Sequence, residues 1–163
     1  MDGGAEPRQT GIDRAQAKCV CFNLRRAARA VTQLYDEALR PSGLRATQLS
    51  VLSAVALLGP VTMTRLAELL VMERTTLTRN LRLLVEKELV RVAPGEDRRS
   101  RSARLTGRGR DALARALPLW KRAQTRIVEG LGRERWDDLL KGLTAAVAVA
   151  QAPRPAGEDI ARP

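Results

Sequence analysis

The chain contains no histidine among its 163 residues. That removes histidine as a general acid or base, the serine–histidine and cysteine–histidine dyads, and any metal site that needs an imidazole ligand. Aromatic residues are nearly absent as well, limited to Phe22, Tyr35, Trp120 and Trp136. Proteins that hold single-stranded nucleic acid stack bases on aromatic platforms, and this sequence has little to build one from. No apolar run approaches the roughly 20 residues that cross a bilayer, and the opening residues MDGGAEPRQTGIDRAQ lack the apolar core of a secretory signal. The expected compartment is the cytoplasm. The two cysteines form a Cys-Val-Cys element, Cys19 and Cys21, with neither a CxxC redox motif nor a GxGxxG fingerprint beside them. No cofactor or metal is expected, and an enzyme is not.

Acidic side chains are also in short supply. Lysine and arginine number 29 against 18 aspartates and glutamates, a formal charge of +11. Such a surplus suits an anionic partner, either nucleic acid or an anionic membrane face, although an arginine-rich proteome would give the same excess. With so few aromatics, double-stranded DNA is the better match for a nucleic-acid partner.

The polar, Gly- and Pro-bearing residues 1–15 read as a flexible tail, and residues 151–163, with three prolines, as a second. Residues 16–150 read as a single domain, mostly with helical periodicity. Leu24, Ala27, Ala28, Val31, Leu34, Tyr35, Ala38 and Leu39 mark a first helix over 17–40. A second spans 47–58 and stops at Gly59-Pro60. Thr62 caps a short third, and a fourth covers 74–88. Val90–Ala93 and Ser102–Leu105 then form one hairpin around a basic tip, and Thr106 caps the first of two terminal helices, which part near Gly130 and Gly132. The expected fold is therefore mainly α with one small β-hairpin. It comprises a winged helix-turn-helix lobe at 47–105 and helical segments at 17–40 and 107–150 with apolar faces to cover.

The fourth helix carries the strongest functional pattern. Leu77, Leu81, Leu84 and Val85 form its apolar side, and Thr75, Thr78, Arg79 and Arg82 recur at i, i+3, i+4 and i+7 on another, with Arg74 and Thr76 in the first turn. Arginine can bond the O6/N7 edge of guanine bidentately, and threonine offers a hydroxyl and a methyl to a base edge in the major groove. A solvated amphipathic face is the plainer account of such a stripe; the short helix and tight turn before it favour a recognition helix. At the hairpin tip Asp97, Arg98, Arg99, Ser100 and Arg101, an arginine can enter a narrow minor groove while Asp97 holds a neighbouring guanidinium in position, although charged tips also serve merely to prevent edge pairing. The terminal helices can be covered by a second subunit or by folding back on their own lobe. A non-specific DNA-coating protein and a thiol-dependent redox enzyme are the competing functions.

The segment LAELLVMERTTLTRNLRLLVEKELVRVAPGEDRRSRSARLTGRGR resembles the MarR family of bacterial transcriptional regulators. The resemblance runs from about Cys21 to Leu143 and is most specific at Thr75–Arg79, Asp97–Ser100 and Leu105–Arg110. It implies an obligate homodimer built from the first helix, 17–40, and the two terminal helices, 107–150, binding to a pseudopalindromic operator, usually as a repressor, and release by a small ligand or an oxidant. It also implies a wing-tip role for Arg99 with Asp97 as its partner. The stretch CFNLRRAARAVTQLY is similar to the organic-hydroperoxide-sensing branch of that family. There a cysteine is oxidised to sulfenic acid and then capped by a thiol or disulfide. Cys21 matches that cysteine and Tyr35 a neighbouring tyrosine, while Arg25 and Ala46 stand where the branch has further tyrosines. Cys19 and Cys21 read equally as small apolar helix residues.

Overall fold

The computed structural model describes residues 11–95 and 100–153. Its elements run α1 (Gly11–Lys18), α2 (Val20–Leu39), a 3-10 turn (Arg40–Ser42), α3 (Ala46–Leu58), β1 (Val61–Thr62), α4 (Met63–Leu70), α5 (Arg74–Glu86), β2 (Val90–Pro94), β3 (Arg101–Leu105), α6 (Gly107–Leu131) and α7 (Arg133–Gln151). The chain divides into two compact units, Met1–Ala123 and Gln124–Pro163, with the boundary inside α6.

The first unit is organised around α3. Leu49, Val51, Leu52, Ala54 and Val55 are all buried, a broad apolar face that fixes this helix in the core, while Ser50, Ser53 and Leu57 stay exposed on its remaining side. It meets α2, α4, α5 and β3, and around it close Leu39, Leu66, Leu77, Leu84, Val90 and Ala103. Among the described residues, the one buried polar side chain is Gln48. Its Oε1 accepts from the Arg45 amide at 3.2 Å and thereby caps α3. Asp36 adds an acceptor for the Ala46 amide at 2.7 Å, joining the end of α2 to the start of α3.

Three features differ from the sequence expectation. The single helix expected over 17–40 is two helices, broken at Cys19, whose φ of −70° and ψ of 117° are extended. The break has no proline or glycine to announce it. Asn23 stabilises it, donating from Nδ2 to the carbonyls of Ala17 and Cys19 at 3.0 and 2.9 Å. Instead of one hairpin there is a three-stranded antiparallel sheet, ordered β1-β3-β2. The added strand is two residues long, pairing Val61 with Ala103 and Thr62 with Ser102, too short to leave a periodic signature. Residues 11–15, expected in the N-terminal tail, are instead helical as the first part of α1, which begins at Gly11. The remaining boundaries agree with those read from sequence to within two residues. Thr62 accepts from the Arg65 amide at 3.2 Å as the cap of α4, and Gly132, at φ 80°, separates α6 from α7.

Several long apolar side chains remain uncovered in the single chain. Phe22, Leu24 and Val31 on α2 and Leu117 and Trp120 on α6 are exposed, and so, in the second unit, are Leu139, Leu140, Leu143 and Val147 on α7.

Candidate nucleic-acid interface

The α4–turn–α5 pair is built by local chemistry. At the end of α4 the chain reverses through Val71, which adopts left-handed φ 50°, ψ 45°. Its amide donates to the Glu68 carbonyl at 3.1 Å, and the Met72 amide to Ala67 at 2.9 Å. Left-handed backbone is costly for a β-branched residue, so the tertiary pairing of α4 with α5 holds the turn in place. Leu77, Leu81 and Leu84 then seat α5 on the core with exposures of 0, 2 and 0%. Val85, expected among those apolar positions, is 40% exposed.

At 100° per residue, Thr75, Thr78, Arg79 and Arg82 fall on the side opposite the buried leucines. All four are exposed, as are Arg74 and Thr76. The first-turn amides of α5 receive no side-chain cap, which leaves them available to a phosphate oxygen. The four outward side chains are not equivalent. Thr78 donates its hydroxyl to the Arg74 carbonyl at 2.8 Å, so its outward capacity is that of an acceptor and a methyl. Arg82 is ion-paired through Nε with Glu86 at 2.8 Å. Arg79 has no hydrogen-bonding or ionic partner among the described residues.

The β2–β3 hairpin stands beside this helix in the chain and closes with the Gly95 amide donating to the Ser100 carbonyl at 2.9 Å. Arg101 is exposed and Ser100 half-buried. The other wing positions, Asp97, Arg98 and Arg99, lie outside the described residues.

The Leu105–Arg110 segment joins wing to helix by a compact lock. The Thr106 amide donates to the Leu89 carbonyl at 3.1 Å. Its hydroxyl donates to the Glu88 carbonyl at 2.7 Å and accepts from the Gly109 amide at 2.9 Å. One threonine thus caps α6 and binds it to the end of α5. Glu88, at φ 55°, ion-pairs with Arg108 across the same junction. Lys87 Nζ donates to the Gly43 carbonyl at 2.9 Å, tying the far end of α5 to the turn before α3. Spacing alone gave no sign of these tertiary ties.

A cavity of ≈ 520 Å³ opens beside α3, lined by Val31, Tyr35, Leu49, Leu117 and Trp120 among others, with no charged side chain in its wall. Tyr35 is half-buried there, and desolvation raises its hydroxyl above the ordinary pKa of 10.0. Cys19 and Cys21 are both exposed and both free thiols.

Comparison with known proteins follows the same lines. The family model described as the MarR family matches residues 42–100. Among solved structures, the transcriptional regulator MosR of M. tuberculosis, in complex with DNA, is 43% identical. The similarity covers 83% of this chain and 100% of that one, with a TM-score of 0.72. The transcriptional repressor CouR, bound to a 23-mer DNA duplex, is 28% identical over 88% of this chain and 99% of its own, with a TM-score of 0.75. An uncharacterised HTH-type transcriptional regulator of Bacillus subtilis, YwoH, is 34% identical over 83 residues, which are 51% of this chain. The chain spans 61% of that relative's length.

Proposed function

The chain belongs to the MarR family, and from that premise we propose that it is a sequence-specific regulator of transcription that binds double-stranded DNA as a homodimer. The observation that carries the reading is the outward stripe of α5, with Thr75, Thr78, Arg79 and Arg82 exposed on a helix whose other side is locked into the core. That helix reads base edges in the major groove. Arg74 and Thr76 meet phosphates beside it, and the wing arginines Arg98, Arg99 and Arg101, with Ser100, meet the adjoining minor groove while Asp97 holds a neighbouring guanidinium in position. MosR and CouR, each solved with DNA, support the same partner here.

The homodimer reading rests on the exposed apolar faces of α2, α6 and α7. A second copy would cover them and would place two α5 helices about 34–36 Å apart, one turn of DNA. The operator is then a pseudopalindrome, and the regulator acts as a repressor in the cytoplasm.

Two release mechanisms have structural support. The ≈ 520 Å³ cavity is of a size that takes small ligands. Its uncharged, aromatic-edged wall suits a neutral aromatic effector better than an acid. Cys21 is exposed, with Arg25 four residues on along α2. Attack of the Cys21 thiolate on a peroxide O–O bond yields a sulfenic acid and releases an alcohol or water. Cys19, two residues before Cys21, and Tyr35, which matches a tyrosine of the hydroperoxide-sensing branch, are the companions proposed for that chemistry.

A salt titration tests the DNA reading. Affinity for the operator and for random duplex should both fall as salt rises, while the operator retains a preference of about 10³-fold or more. Equal affinity for both duplexes at every salt concentration would leave a non-specific DNA-coating protein.

A further inference from the structure

The base of the wing carries more positive charge than the fold or the DNA reading uses. Arg91 and Arg104 are cross-strand partners in the β2–β3 register, and both are exposed. Opposed residues in an antiparallel pair project from one face, and like charges placed there are destabilising. Arg108 and Arg110 stand in the first turn of α6, where the positive end of the helix dipole disfavours cations. All four arginines line one open groove of ≈ 990 Å³ with an apolar floor that includes Val90 and Leu105. The single carboxylate of that lining, Glu88, is taken by Arg108. Arg91, Arg104 and Arg110 have no carboxylate partner among the described residues.

We infer that this groove binds a compact polyanion of the diphosphate class. Guanidinium forks match phosphate oxygens bidentately, and three unpaired forks call for more than one negative charge. The anion would relieve the Arg91–Arg104 repulsion and complement the first turn of α6. DNA phosphates offer the same chemistry, but the geometry favours a free ligand. Val85 and Glu88 line the groove at the far end of α5, roughly 15 Å along the axis from Thr75. Arg91 lies three residues, roughly 10 Å, from the tip end of the hairpin at Pro94.

The probe is inorganic pyrophosphate added to the full chain, with sodium chloride at matched ionic strength as reference and the melting temperature as readout. The wild-type protein should show a saturable rise of about 5 °C. The Arg91→Gln/Arg104→Gln protein should lose the rise and, without pyrophosphate, melt no lower than wild type. Arg79→Ala should keep the rise. Arg91→Lys/Arg104→Lys, which retains the charge, should keep at least half of it. A full rise in the Gln/Gln protein, a rise abolished by Arg79→Ala, or a non-saturating rise that chloride reproduces would each overturn the assignment. The readout involves no DNA, so it stands or fails separately from the regulator reading.

Discussion

Arg82 donates from Nε to Glu86 Oε1 at 2.8 Å, one turn further along α5. Part of its fork is thereby committed within the helix, whereas Arg79, three residues earlier, holds no such partner among the described residues. The two arginines of the outward stripe therefore have different duties. On the proposed DNA reading, Arg79 is free to meet a base, whereas Arg82 would first have to exchange an intrahelical carboxylate for an external acceptor.

Arg79→Ala is expected to weaken operator binding by about 1–3 kcal/mol and to relax preference at one base pair. Arg82→Ala should cost less, because an exposed i,i+4 pair is exchanged in binding. Glu86→Gln should tighten binding by about two-fold or more, since it frees Arg82 and removes a negative charge near the phosphates. Fluorescence anisotropy with a labelled operator duplex, compared across the three variants, checks this order. A greater loss from Arg82→Ala than from Arg79→Ala would reverse the assignment.

Gly109→Ala should be among the most damaging single changes in the first unit. A Cβ at Gly109 would lie 2.0 Å from the Leu89 carbonyl oxygen and 3.1 Å from Leu105 Cδ2. The obstacle is backbone, and the Leu89 carbonyl also accepts from Thr106, so it cannot retreat cheaply. A loss at or above the upper end of about 1–3 kcal/mol is expected from urea unfolding. An unchanged midpoint would show that α6 does not approach the Leu89 backbone between α5 and β2 this closely.

Val71→Gly should stabilise the protein. The left-handed backbone at this position, φ 50°, costs a β-branched residue about 1–2 kcal/mol, and glycine returns about 0.5–1 kcal/mol of that as unfolded-state entropy. Val71 is 55% exposed, so little packing is lost. A modest rise in Tm is the expected result, and a fall would mean that the valine side chain holds the turn.

Tyr35 links stability to alkaline pH. Desolvation raises its folded-state pKa above 10.0, so the folded protein favours the neutral phenol. For an acid raised in this sense, the stabilising contribution is complete below the unfolded pKa and is lost as pH rises through the folded one. Tyr35→Phe should therefore lose less stability than wild type between pH 9 and pH 11, by chemical denaturation at each pH. Parallel profiles would contradict the burial of this hydroxyl.

How far the sequence reveals this molecule depends on the range of the interaction involved. Helix α5 is legible because three leucines at i, i+4 and i+7 must face the core, which forces the threonines and arginines outward. The cap at Thr62 and the stop at Gly59 and Pro60 are legible because each acts on its immediate neighbours. Strand β1 escapes notice because two residues have no period, and it exists only through its pairing with β3. The break at Cys19 is hidden for a related reason: the bonds that stabilise it come from Asn23, four residues on. The exposure of Val85 and the close approach at Gly109 are set by tertiary contacts, and the left-handed Val71, though closed by local bonds to Glu68 and Ala67, is masked by a β-branched residue that disfavours that backbone. At the candidate interface, identity and direction were readable from spacing. The unequal availability of Arg79 and Arg82 was not, although the i,i+4 spacing of Arg82 and Glu86 was the available signal.

The most direct test of the central claim is in vitro selection from a pool of randomised duplexes, run in parallel with wild-type protein and Arg79→Ala. The wild-type chain should enrich a pseudopalindrome whose half-sites are centred about 10–10.5 base pairs apart, and Arg79→Ala should lose preference at a symmetric pair of positions within it. A pool that stays random with the wild-type protein, or an identical motif enriched by both proteins, would contradict base reading by this face of α5.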